Sequence, residues 1–145
     1  MRDQDRQSGL AGAFLMTLLM VAGAAAAAGD LRLVEAARNR DQQKVRTLLN
    51  QRAEVNVRSD DGATALLWAA HWNDLDTADL LIRAGANANA ANDFRITPLS
   101  LACTNGSAAL VERLLKAGAN PNTAIATGET PMMTCASTGS DSMRP

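Results

Sequence analysis

The chain has no tyrosine, two tryptophans, two phenylalanines and a single histidine among 145 residues. With aromatics at only 3%, the 47% apolar content rests on aliphatic side chains and above all on alanine. Such a composition suits closely spaced helices better than a deep core of large rings. One histidine and two cysteines leave little for chemistry that needs clusters of ligands or nucleophiles. Neither sign of charge is in excess. The formal net charge is −1, so the basic footprint of a nucleic-acid binder is missing and no nucleic acid is expected as a partner. No Gly-Lys-Ser/Thr phosphate loop occurs, and the acidic residues form no pair with a definable geometry. The length suffices for one domain.

Long uncharged runs are equally scarce, with one exception at the N-terminus. Met1–Ser8 is polar, and Leu10–Ala22 is an apolar run of h-region length. Gly23–Ala28 then supplies small residues wherever an A-x-A cleavage rule asks for them. Residues 1–28 therefore read as a secretory signal peptide cleaved after Ala28. No cysteine lies near the site, which argues against a lipoprotein, and no paired arginines precede the run, which favours the general secretory route. The rival reading is a membrane anchor formed by residues 10–28, since that stretch is 19 residues long. A membrane is a partner only if this segment stays uncleaved. Its removal takes two Arg and two Asp and leaves the net charge at −1.

From residue 29 onward the chain repeats itself every 33 residues. Thr64, Thr97 and Thr130 share a column, as do Leu66, Leu99 and Met132, and Ala69, Ala102 and Cys135. Leu48, Leu81 and Leu114 form another, followed by Leu49, Ile82 and Leu115, then Asn56, Asn89 and Asn122. A fixed period of this length marks stacked supersecondary units. Each column has a physical role. Thr97 and Pro98 start a helix, because the hydroxyl satisfies a free N–H and proline fits the first turn. Ala102 lets a neighbouring helix approach, and Leu114 and Leu115 close the layer. Gly85 and Gly118 end helices where a left-handed backbone angle is needed. The Asn-x-Asn tails suit local backbone hydrogen bonds.

These columns resemble the ankyrin repeat. The resemblance is carried by Asp61-Gly62-Ala63-Thr64-Ala65-Leu66, Leu80-Leu81-Ile82 and Gly85-Ala86-Asn87-Ala88-Asn89. It recurs in Thr97-Pro98-Leu99, Leu114-Leu115 and Gly118-Ala119-Asn120-Pro121-Asn122. It implies an all-α solenoid of helix–loop–helix units with hairpin-like loops, spanning residues 29–145. Residues 30–59 read as an N-terminal cap-like repeat, with Asp30 capping a first helix whose face is Leu31, Val34 and Ala37. Residues 60–92 and 93–126 are full repeats, and 127–145 is an incomplete one in which Gly139 matches Gly106. Chain truncation is the favoured explanation of that last unit. Departures from the family pattern also matter. Leu67, Ser100 and Met133 stand where a loop-bracing histidine is common, Ala65 replaces the proline, and Asn73 replaces a glycine. Modest stability is expected.

Few residues invite chemistry. His71 has no second histidine to share a metal and no partners placed for nucleophilic work, so it reads as a helix-surface residue. Trp68 and Trp72 sit at i, i+4 on a first helix, and in ankyrin-like stacks those helices line the concave face. Two readings stand side by side: exposed interface anchors, or rings folded back onto the neighbouring repeat as core. Cys103 and Cys135 fall in adjacent columns of successive first helices. Export would favour a disulfide, but helix axes about 8–10 Å apart against bridged Cα atoms about 4.4–6.8 Å apart favour buried free thiols. Asn105-Gly106-Ser107 matches a glycosylation sequon and is explained by the turn it occupies.

The expected function is recognition of one or more proteins by an exported module, periplasmic or extracellular, with no catalytic residue, cofactor or metal. Candidate contacts are Trp68, His71 and Trp72, then Thr104 and Asn105 at matching positions. The loop tips add Arg58, Asp60, Asn92, Asp93, Phe94 and Arg95. The alternatives are an accessory or N-terminal part of a larger secreted enzyme or effector, and a membrane-tethered structural spacer.

Overall fold

Threonine at every 33rd position sets the pitch of the fold. In the computed structural model, which describes residues 30–141, Thr64, Thr97 and Thr130 accept hydrogen bonds from the amides of Leu67, Ser100 and Met133 at 3.3, 3.1 and 3.4 Å. Each hydroxyl thereby satisfies one of the orphan donors at a helix start. The helices are α1 (Arg32–Arg38), α2 (Gln42–Asn50), α3 (Ala65–His71), α4 (Leu75–Arg83), α5 (Pro98–Thr104), α6 (Ala108–Lys116) and α7 (Pro131–Asp141). No strand occurs among the described residues. The signal-peptide or anchor segment, residues 1–28, lies outside the described residues, as do residues 142–145.

The first helix of each pair, α1, α3 or α5, is seven residues long, and the second, α2, α4 or α6, is nine. First helices pack on first helices and second on second, giving an all-α stack. The first helices meet through small side chains. Ala36, Ala69 and Ala102 are buried, which lets the backbones approach, and Leu33, Leu66 and Leu99 fill the layers behind them. Val45, Leu81 and Leu114 seal the second row. Each fully buried leucine stabilises the stack by about 1.5–3 kcal/mol relative to exposure. Asp41, Asp74 and Ser107 cap the second helices through their side-chain oxygens. Those helices end on a left-handed residue, Arg52 at φ 58°, Gly85 at 93° or Gly118 at 90°. The glycine missing from the first unit is thus replaced by an arginine that adopts the same conformation.

Repeat-to-repeat cohesion also comes from two polar ladders. The Asn56 side chain donates to the Gly85 carbonyl at 3.2 Å and accepts from the Asn87 amide at 2.7 Å. One repeat on, Asn89 donates to Gly118 at 2.9 Å and accepts from Asn120 at 2.7 Å. The amides expected to bond locally therefore bridge repeats, while Asn87 and Asn120 make the local bonds to Asn89 and Asn122. Arg58 reaches from one loop tip to the Ala91 carbonyl of the next at 2.7 Å. Loop bracing, expected to be absent without the histidine, is supplied by these residues instead.

Five expectations are corrected. Leu31, not Asp30, occupies the N-cap of α1 and makes no side-chain capping bond. As a cap residue outside the helix Leu31 is 37% exposed, and Leu33, Val34, Ala36 and Ala37 form the buried face. Leu115 is 45% exposed, because Leu114 alone points into the layer. Gly139 lies inside α7 rather than at a turn like that of Asn73 (φ 53°) and Gly106 (φ 65°). α7 continues to 11 residues because no chain reversal interrupts it there. Finally, Cys103 and Cys135 form a disulfide with their Cα atoms 4.5 Å apart. The axis spacing misled: facing Cα atoms each stand about 2.3 Å off their own axis. Axes about 8–10 Å apart therefore bring such atoms to roughly 3.4–5.4 Å, which overlaps the bridged range of about 4.4–6.8 Å.

Candidate functional site

The face of the first helices and the loop tips beside it form a groove, and Trp68 stands in the middle of it. Its ring is half-buried and packs against the core on one side. On the other it meets the edge of His71, with ring centres 5.6 Å apart, and the Arg38 guanidinium, 5.4 Å from the ring centre. His71 in turn lies edge-on to Trp72 at 4.8 Å, and Arg40 approaches the Trp72 ring at 5.8 Å. Cation–aromatic contacts at exposed sites such as these contribute about 0.5–1 kcal/mol each. Trp72 combines both of its expected fates. Its indole N–H donates to the Arg38 carbonyl at 3.0 Å, yet 41% of the residue remains exposed.

That bond belongs to a column. Asn105, one period after Trp72, donates to the carbonyls of Ala70 and His71 at 3.0 and 3.3 Å. Thr138, one period further, donates to the Cys103 carbonyl at 3.1 Å. Three different side chains at one register position thus satisfy the open carbonyls at the end of the preceding first helix.

Two hollows flank Trp68. The first, about 290 Å³, is bounded by Leu31, Val34, Glu35, Arg38, Ser59, Asp60, Asp61 and Trp68. The second, about 190 Å³, is bounded by Asp61, Ala63, Leu67, Trp68, His71, Asn92, Ile96 and Leu101. Asp61 belongs to both. The Ser59 hydroxyl donates to its carboxylate, and the Ala63 amide does so at 3.2 Å. These bonds hold its pKa below the usual carboxylate range, so the charge persists between the hollows.

The candidate contacts are distributed unevenly around this groove. Trp68, His71 and Asn92 line the second hollow, and Asp60 lines the first. Phe94 projects from the tip with 66% exposure, beside exposed Asp93 and Arg95. Other candidates are tied into the stack. Arg58 and Asn105 make the bonds given above, and Asn92 accepts from the amides of Phe94 and Ile96 at 3.0 and 2.9 Å. The Thr104 hydroxyl donates to the Ser100 carbonyl at 2.9 Å. Glu35, Arg38, Asp61, Ile96 and Leu101 were not anticipated. A signal for two of them existed: Glu35, Trp68 and Leu101 share one column whose identity changes at every repeat, unlike the alanine and leucine columns around it. Among the described residues no group of three His, Cys, Asp or Glu side chains is placed to hold a metal ion. No described helix is long and apolar enough to cross a membrane.

The 33-residue register, the paired helices and the capped threonines find their counterpart in a family model described as "Ankyrin repeats (3 copies)", which matches residues 12–92, 33–125 and 74–144. The chain belongs to the ankyrin-repeat family. No curated protein matches it. Ankyrin repeats generally serve as protein–protein interaction modules and are generally non-catalytic, and the all-α ankyrin solenoid seen here is the architecture that the family match implies.

Proposed function

We propose that this chain is an exported, non-catalytic module that recognises a protein partner through the groove beside Trp68 and the adjoining loop tips. The observation that carries the reading is the pair of hollows flanking a half-buried indole, together with the exposed Trp72 packed against His71 and the exposed Phe94 two residues from Asn92. Tryptophan in a desolvating setting is a common binding anchor. The inter-repeat ladders fix the groove before binding, so little ordering cost opposes association. Export is supported by the composition of residues 1–28 and by the Cys103–Cys135 bridge, the form that paired thiols take in an oxidising compartment.

The test is photocrosslinking from native extracytoplasmic extract, with the reactive group at position 94 because the Asn92 side chain is committed to its own loop. A Trp68→Ala/Trp72→Ala bait, checked for folding, is run beside it. One protein captured by the first and lost with the second is expected. Equal capture by both baits contradicts a groove centred on the indoles. A mature N-terminus at Gly29, read by mass spectrometry, is expected for the exported form, and an intact Met1 terminus in the cytosolic fraction contradicts export.

A further inference from the structure

We infer that the groove receives an extended segment of its partner that presents a large apolar side chain to the hollow lined by Ile96 and Leu101 and a basic side chain to the hollow lined by Glu35 and Asp60. This rests on the reading of the groove as the protein-binding surface and specifies the partner's chemistry. The apolar hollow comes first in the argument. Ala63, Leu67, Trp68, Ile96 and Leu101 supply its apolar walls beside the polar Asp61, His71 and Asn92, and at about 190 Å³ it falls below the roughly 300–1,000 Å³ of sites that enclose a free small molecule. Its size suits one side chain of a larger partner.

Charge complementarity selects what sits next door. Of the residues lining the first hollow, Glu35, Asp60 and Asp61 carry carboxylates and Arg38 is the one cation, an excess of two negative charges. Arg38, whose guanidinium stands 5.4 Å from the centre of the Trp68 ring and also acts on the Asp61 charge, offsets one of the three carboxylates and leaves the other two uncompensated within the hollow. Arg58, the nearest cation of the same tip, donates to Ala91 and lines neither hollow. An incoming lysine or arginine would meet opposite charge, and its aliphatic stem would lie along Leu31, Val34 and the indole.

The helix stack fixes the spacing. The two hollows lie on either side of Trp68, one against α1 and the other against α5. Neighbouring axes are about 8–10 Å apart, and an extended chain advances about 3.3 Å per residue. Side chains of a strand alternate faces, so the basic and apolar side chains stand two residues apart, about 6.6 Å, in a β-extended partner, or three apart, about 9.3 Å, in a polyproline II one.

The experiment uses the intact, oxidised chain and short Ser/Gly peptides carrying one Arg and one Leu two or three residues apart. Peptides in which Glu replaces Arg are the counterparts. Calorimetry and tryptophan fluorescence read affinity. The Arg/Leu peptides are expected to bind about 10-fold tighter than the Glu/Leu ones. The Glu35→Gln/Asp60→Asn variant, with its melting temperature checked, should weaken Arg/Leu binding by about 3- to 10-fold and flatten its salt dependence. Equal or tighter binding of Glu/Leu peptides overturns the inference. So does an unaffected variant, or the absence of Arg/Leu binding at about 1 mM. If a native protein is captured at position 94 in an indole-dependent way while the Arg/Leu peptides fail, only the partner's chemistry is refuted. If neither binds, the groove itself is not the recognition surface.

Discussion

Removing the Cys103–Cys135 bridge by a double substitution to alanine isolates what holds the last helix in place. Of the described side chains of α7, Pro131 alone is buried, and Met132 and Met133 are largely exposed. Apolar burial therefore contributes little to docking it. Besides the bridge, the Thr138 hydroxyl on the Cys103 carbonyl and the Met132 amide on the Pro121 carbonyl tie the helix back to the stack. The bridge spans 32 residues, for which the chain-entropy relation gives about 4 kcal/mol at 25 °C. In a repeat stack the end unit opens locally, so that amount is an upper limit for α7 and the tip before it. It does not apply to the whole molecule. Hydrogen exchange of the oxidised chain against the double variant should show amides of 131–141 losing protection by about 10²- to 10³-fold. Amides of α3 and α4 should change by less than about 2-fold, since both lie outside the bridged loop. α6 should fall between, because Arg113 still pairs with Asp79 at 2.8 Å and donates to the Leu75 carbonyl at 3.2 Å. Unchanged protection of α7 would refute the account of how it is held. Equal loss in α3 would refute its local character.

Three further outcomes are expected. Gly62→Ala should destabilise by about 2–3 kcal/mol in urea melts, through left-handed strain and loss of the loop bond. At φ 76° its new Cβ would stand 2.7 Å from the Asp93 carboxylate and 2.9 Å from the Arg58 guanidinium, displacing the latter from Ala91. Gly85→Ala meets no atom within 4 Å and should cost about 1 kcal/mol, so equal effects would contradict the steric argument. Asn89→Ala breaks both of its inter-repeat bonds and should cost about 1–2 kcal/mol, read as a lower urea midpoint. Asp61 has a depressed folded pKa from the Ser59 and Ala63 hydrogen bonds. Its contribution to stability is present above the ordinary carboxylate pKa of about 4 and is lost as pH falls through the lower folded value. Asp61→Asn should accordingly flatten the acid limb of the urea midpoint below about pH 4, and an unchanged slope there would remove Asp61 from that role.

The columns of the sequence carried the fold because each encodes a local requirement: a hydroxyl at a helix start, an alanine at a close crossing, a left-handed residue after a helix. What they concealed was mostly relational. Trp72, Asn105 and Thr138 share a register position and a bonding role but no chemical likeness, so the ladder they form cannot be read from residue type. Cys103 and Cys135 could be placed on facing helices, yet axis spacing stood in for Cα spacing and hid the bridge. Leu31 and Leu115 looked like core because periodicity gives a face and says little about where the neighbouring layer stops. The groove was partly legible. Trp68 and His71 stand out in the sequence as residues outside the packing columns, whereas Asp61 looks like no more than the start of a repeat motif. Its place between two hollows depends on how the tip folds against α3 and α5.

Hydroxyl-radical footprinting of the chain with its captured partner tests the central claim most directly, because oxidisable side chains happen to mark the competing surfaces. Trp68, Trp72 and Phe94 report the groove, while Met132, Met133 and Leu115 report the exposed surface near the end of the stack. The account predicts that the partner protects the three aromatic residues and leaves the two methionines and Leu115 as reactive as in the free chain. Protection of Met132, Met133 and Leu115 with unchanged oxidation of Trp68 and Phe94 would contradict it and place recognition at the end of the stack.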